Sequence, residues 1–309
     1  MSQVLPHLLG GLGLFLFAIF KLSEVLQSIF TDKATELIGK YTSNIFLSIF
    51  IGTVMTVLLG SSSAGIIIVI VFINSKILTL RQSMGLILGA NFGTTFSSKI
   101  IAMDIGEYSV IPLLVGLFVM LLAKNLRIKR IATVIMYFGI LFFGLFTIEQ
   151  SVLPLHDSEL FVSWMQSIES NAFKGAIFGG FITLIIQSSS ATVGMAIILA
   201  NQNILNLLGG LSIMLGAELG TCSDTLMATV GGSREALKAA LFHLIFSLLS
   251  IAIALIFFTP FVNLVTAISR SQDIGNQIAN GHVLFNVLGV ILCLPFLGVF
   301  EKALNKILP

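Results

Sequence analysis

The chain has 309 residues, 56% hydrophobic and 10% charged, with a formal net charge of +2 and a mean hydropathy of +1.06. A soluble domain carries about a quarter charged residues, so this composition excludes one. No basic tail or stripe marks a nucleic-acid partner, and Cys222 and Cys293, both in apolar runs, give no disulfide framework.

The apolar runs are continuous rather than alternating, which indicates helices and not a barrel. The expected fold is an all-α polytopic membrane protein, multi-pass, in the plasma membrane (the bacterial inner membrane), with lipid as its surroundings. The opening "MSQVLPHLLG" has no basic region or small-residue cleavage site. The first helix is therefore expected to stay as an uncleaved insertion signal.

Taken in order, apolar stretches cover about 8–30, 45–59, 66–73, 84–103 and 109–123. The basic run "KNLRIKR" (Lys124 to Arg130) follows. Further stretches cover 131–148, 173–186, 191–200, 204–230, 236–258 and 281–300, with Trp164 in the polar stretch 151–171 as an interfacial anchor. A straight span needs about 20 apolar residues. Several of these are shorter, and "GSSSAG", "NFGTTFSSK" and "AELGTCSDT" interrupt others. Re-entrant hairpins and discontinuous helices are expected, with irregular backbone facing protein or a wet cavity.

The chain also resembles itself. At an offset of 127, since 187 − 60 = 127 and 216 − 89 = 127, residues 52–95 lie on 179–222 without a gap, and 16 of the 44 pairs are identical. This predicts an internal duplication, about 8–123 and 134–258, with one added helix at 281–300. Two repeats with matched interruptions point to inverted-topology halves of a secondary transporter, whose site lies at their interface.

The duplicated polar motifs are the candidate site. Ser61, Ser62 and Ser63 stand in one half; Gln187, Ser188, Ser189 and Ser190 stand in the other. Hydroxyls and a carboxamide at a helix break, with the amides of a half-helix N-terminus, suit an oxyanion. A lone serine in such a place is more often a packing residue bonded to the preceding turn. A triplet repeated at a fixed offset favours binding.

"GANFGTT" (Gly89 to Thr95) and "GAELGTC" (Gly216 to Cys222) follow each triplet. Glycines around a small polar set predict an unwound turn with free carbonyls, suited to Na⁺. A close helix crossing is the plainer reading of the same glycines. The cation candidates are Asn91, Thr94, Thr95, Glu218, Thr221 and Asp224. Glu218 stands opposite Asn91, and Asp224 opposite Ser97. Carboxylates at membrane depth are expensive and functional unless paired, here with Lys99, Lys174 or Arg234. Lys99 either pairs with Asp224 or holds the anion. An empty site carrying both carboxylates repels an anion, so Na⁺ is expected to bind first. His243 and His282, on apolar helices, read as packed, hydrogen-bonded residues ahead of proton relays.

The paired Ser-Ser-Ser motifs, each followed at equal distance by Gly-Ala-x-x-Gly-Thr, resemble the type II sodium–phosphate cotransporters, bacterial members included. "GGSREALKAALFHLIFS" is similar to the family's stretch after its second motif. The resemblance covers about residues 10–260. It implies sodium-coupled uptake of inorganic phosphate by alternating access. It assigns phosphate to the two serine motifs and needs no cofactor beyond co-transported Na⁺. Gly60 departs from the family's glutamine and Glu218 from its usual asparagine. No soluble C-terminal domain is expected, and a homodimer is compatible. The positive-inside rule puts Lys124–Arg130 in the cytoplasm, whereas the resemblance puts this connection outside.

The nearest rival is a sodium-coupled transporter of sulfate or a dicarboxylate. An intramembrane serine hydrolase needs a base beside one serine, and the duplication supplies none. A channel tolerates broken helices, but the repeat pattern favours alternating access.

Overall fold

Residues 127 apart share their helix caps and turns from Asn44 and Asn171 to Lys76 and Asn203. In the computed structural model, which describes residues 4–27, 41–103, 108–152, 158–270 and 273–309, every regular element among the described residues is helical. The first half holds α1 (Val4–Gln27), α2 (Ile45–Leu59), α3 (Ser62–Asn74), α4 (Leu80–Ile101) and α5 (Val110–Leu122). Next come α6 (Leu126–Val152), α7 (Glu159–Glu169), α8 (Ala172–Ile186), α9 (Ser189–Asn201), α10 (Leu207–Gly220) and α11 (Cys222–Met227). The expected stretch 8–30 is helical to Gln27, and its last three residues lie outside those described.

The helix starts are duplicated because their caps are. Asn44 Oδ1 accepts from the amides of Phe46 and Leu47, and Asn171 Oδ1 from those of Phe173 and Lys174. Ser61 and Ser188 accept from the amides of Ala64 and Ala191, each at 3.2 Å. A side-chain oxygen so placed satisfies an amide that the first turn leaves without a partner. The helix ends match too. Gly60 and Gln187 close α2 and α8 in left-handed conformation, at φ 64° and 60°.

Glycine sets the packing between these helices. A Cβ on Gly89 of α4 would sit 2.0 Å from the Ile49 carbonyl of α2, and one on Gly216 of α10 1.8 Å from the Ala176 carbonyl of α8. Only a bare Cα permits such approach. This corrects the expected unwound turn at Gly89–Thr95. α4 runs unbroken through it. Thr94 and Thr95 donate back to the carbonyls of Ala90 and Phe92, at 3.1 and 2.7 Å. In the second half the helix does break, at Thr221, between α10 and α11. The discontinuity therefore belongs to one half.

After α12 (Arg234–Ile256) the chain continues in α13 (Phe258–Ile268), α14 (Ile274–Cys293) and α15 (Leu297–Ile307). The sequence suggested one helix, over 281–300. Pro295, in the 3-10 turn Leu294–Phe296, separates α14 from α15, as a residue without an amide proton does. Leu126–Ser151, Arg234–Ile256 and Ile274–Ile307 are long and apolar enough to cross a membrane. The outer surface stays apolar: Phe46, Leu122 and Ile256 are at least 70% exposed, as lipid contact allows. Three buried apolar clusters are found among the described residues, the smallest around Met165, Ile168 and Leu205, and two larger ones fill most of the interior. One joins α1 and α6 to α9, α10, α13 and α14; the other joins α2–α4 to α12 and α15.

Candidate functional site

The two serine motifs meet. Gly60 to Ser63 and Gln187 to Ser190, with Leu16 and Ile19 of α1, line one cavity of about 30 Å³. Each triplet starts its helix, so the cavity faces the N-termini of α3 and α9. Those ends carry amide protons and partial positive charge. Ser62, Ser189 and Ser190 are buried, and Gln187 is exposed, its Nε2 donating back to the Leu184 carbonyl.

The cation candidates do not form one cluster. Asp224 reaches the cavity wall, where Ser63 Oγ donates to its Oδ2 at 2.7 Å. Ser223 Oγ also lies 3.3 Å from its Oδ1. Thr221 donates back to the Glu218 carbonyl. Glu218 points elsewhere: its Oε1 is 2.7 Å from His282 Nε2. Asn91 Oδ1 is 3.2 Å from His243 Nε2.

The salt-bridge partners expected from sequence are also turned away. Lys99 donates to Asn280 Oδ1, Lys174 to Ser167 Oγ and Arg234 to the Pro309 carbonyl. Lys99 is absent from the lining of the serine cavity.

The histidines are packed and hydrogen-bonded, as expected, but each also ties one half to the other. His282 Nδ1 is 2.7 Å from Ser98 Oγ, so His282 joins Ser98 to Glu218. His243 Nδ1 is 3.0 Å from Thr225 Oγ1, so His243 joins Asn91 to Thr225. These are matched positions, since 218 − 91 = 127 and 225 − 98 = 127. The signal in the sequence was "HLIFS" at His243 and "HVLFN" at His282, a second similarity at a different offset. Ser98, His282 and Glu218 have the partner types of a hydrolytic triad. Ser98 and His282 are fully buried, so no external substrate reaches that hydroxyl.

The halves differ at one more point. Thr183 Oγ1 donates to Thr192 Oγ1 at 2.8 Å. Its counterpart Thr56 is buried with Oγ1 unpartnered, because Gly65 stands where the second half has Thr192.

Known proteins resemble this chain in sequence. The chain is 29% identical over 295 residues to the uncharacterized protein YqeW of Bacillus subtilis (strain 168), covering 96% of this chain and 95% of that one. It is 24% identical over 306 residues to the putative inorganic phosphate export protein YjbB of Escherichia coli (strain K12), spanning 98% of this chain but only 56% of YjbB. Over 114 residues, 35% of this chain and 16% of the relative, it is 35% identical to human sodium-dependent phosphate transport protein 2B. No solved structure matches. The model of the Na⁺/Pi-cotransporter family matches in two successive stretches, residues 14–150 and 154–294. With the paired serine turns lining one cavity, the chain belongs to the Na⁺/Pi-cotransporter family.

Proposed function

We propose that this chain is a secondary active transporter that couples Na⁺ entry to uptake of inorganic phosphate by alternating access, as a multi-pass protein of the plasma membrane. The observation that carries this reading is the single cavity lined by both serine triplets. Phosphate is held there by Ser61, Ser62, Ser63, Ser188, Ser189 and Ser190, with Gln187 at the rim. Hydroxyl donors and helix N-termini neutralise the anion without a buried arginine.

In this reading the two halves, 8–123 and 134–258, are inverted repeats. The α2–α3 and α8–α9 pairs are re-entrant hairpins. Their helices of 15 and 13 residues reach about 22 and 20 Å, short of the roughly 30 Å hydrocarbon core. Among the expected cation residues Asp224 carries the coupling, because it bonds to a cavity serine. Na⁺ beside it offsets its charge and lets the anion enter.

The name of YjbB favours a second direction, export. Reconstituted protein in liposomes separates the two. Radiolabelled phosphate should accumulate under an inward sodium gradient, faster than with the gradient reversed or absent. Ser62→Ala and Ser189→Ala should each raise the half-saturating phosphate concentration about tenfold, the effect of one lost hydrogen bond to a charged ligand. Phosphate movement indifferent to sodium and to both serines would remove the reading.

A further inference from the structure

The cavity between the serine turns is polar on two sides, with Leu16 and Ile19 of α1 on a third. A second cavity, of about 70 Å³, adjoins it. The two share Ile19, Gly60 and Ser190 in their walls. The second is lined chiefly by apolar side chains, with Phe15, Phe96, Phe138 and Leu141 among them. The junction lies at Gly60. A Cβ built there meets nothing within 4 Å, so the missing side chain leaves real space.

The second half shows what normally fills such a position. Gln187 has nearly the same backbone, φ 60° against 64° at Gly60. One half therefore carries a side chain, its amide turned back to the Leu184 carbonyl, where the other leaves a passage into apolar surroundings. An oxygen of bare phosphate turned toward that passage meets hydroxyls only at Ser190 and Ser97 among the lining residues; the apolar remainder of the wall offers it no donor, which is costly in a buried site. An ester oxygen carrying a short alkyl or aryl group has little demand for a donor. Its substituent gains by leaving water. The second cavity is several times the minimum for one water, enough for a short substituent.

We propose that the site accepts phosphate monoesters with a small apolar substituent, the phosphoryl group between the serine turns and the substituent in the apolar cavity beyond Gly60. This rests on the reading that the serine cavity takes phosphate.

Propyl phosphate is the probe, tested against radiolabelled phosphate entry into liposomes and by calorimetry on the purified protein. It should inhibit wild-type entry with a potency within about tenfold of unlabelled phosphate. Gly60→Gln supplies the side chain that the other half carries in the same conformation. Val57→Phe fills the apolar cavity from an exposed position. Each should lower the potency of propyl phosphate relative to phosphate by about tenfold or more, the loss of a few buried methylenes. Calorimetry should register propyl phosphate on the wild type and weaker binding on both variants.

Equal relative potency in all three proteins overturns the proposal. So does phosphate entry that propyl phosphate leaves untouched, the result expected if a lipid chain fills the cavity. In that case the phosphate reading survives. Binding of propyl phosphate but not of phosphate would instead overturn the phosphate reading, and this proposal with it.

Discussion

His282 Nε2 lies 2.7 Å from Glu218 Oε1, and both side chains are buried. His243 and Asn91 make the same kind of contact at the matched position of the first half, at 3.2 Å. One contact has a carboxylate and the other a carboxamide, so a carboxamide is compatible with this environment. His282→Ala strands the Glu218 carboxylate and the Ser98 hydroxyl. It should cost about 3 kcal/mol or more. Glu218→Gln keeps a hydrogen-bond acceptor for His282 and should cost about 1 kcal/mol. Thermal unfolding in detergent compares the two, and equal losses would show that His282 matters only as volume.

Asp224 and Glu218 should separate in their effect on sodium. Asp224 bonds to Ser63 at the cavity, while Glu218 is turned to His282. Asp224→Asn is expected to raise the sodium concentration for half-maximal phosphate entry about tenfold or more, the effect of losing one well-placed charge. Glu218→Gln should leave sodium dependence close to wild type. Sodium titrations of phosphate entry check this, and the reverse ranking would move the cation to Glu218.

Thr56 and Thr183 are equivalent in sequence and opposite in bonding. Thr183 donates to Thr192, whereas Thr56 Oγ1 is buried without a partner. Thr56→Val should raise stability by about 1 kcal/mol, since it removes an unsatisfied polar atom at equal volume. Thr183→Val should lower stability by a similar amount, because it removes a buried hydrogen bond and leaves Thr192 only its own bond to the Ser188 carbonyl. Unfolding temperatures of the two variants should shift in opposite directions.

Gly89→Ala should prevent folding or cost about 3 kcal/mol, because its Cβ would meet the Ile49 carbonyl at 2.0 Å and backbone cannot step aside cheaply. Gly13→Ala is the control. A Cβ there meets nothing within 4 Å, and alanine favours the helix by about 1 kcal/mol. Yield of monodisperse protein after detergent extraction distinguishes them.

Much of the architecture was legible along the chain. The stretch expected over 45–59 is helix α2 at those bounds, and the stretches at 109–123 and 173–186 fall within a residue of α5 and α8. Apolar runs, caps and left-handed turn residues act between near neighbours, so they leave a local signature. The 127-residue offset carried further, since it required equivalent turns in both halves, and Gly60 with Gln187 and Lys76 with Asn203 are such turns.

The sequence by itself determined a membrane-embedded helical chain, its internal similarity at an offset of 127 and the two serine turns. Only the tertiary structure decided which polar groups meet. Glu218 finds His282 across 64 residues, Asn91 finds His243 across 152 and Ser63 finds Asp224 across 161. No local pattern encodes such partners, because a buried polar group takes whatever donor the packed helices bring within reach. The glycines of α4 illustrate the same limit. Their spacing allowed an unwound cation site or a tight crossing, and the Ile49 carbonyl against Gly89 chose the crossing.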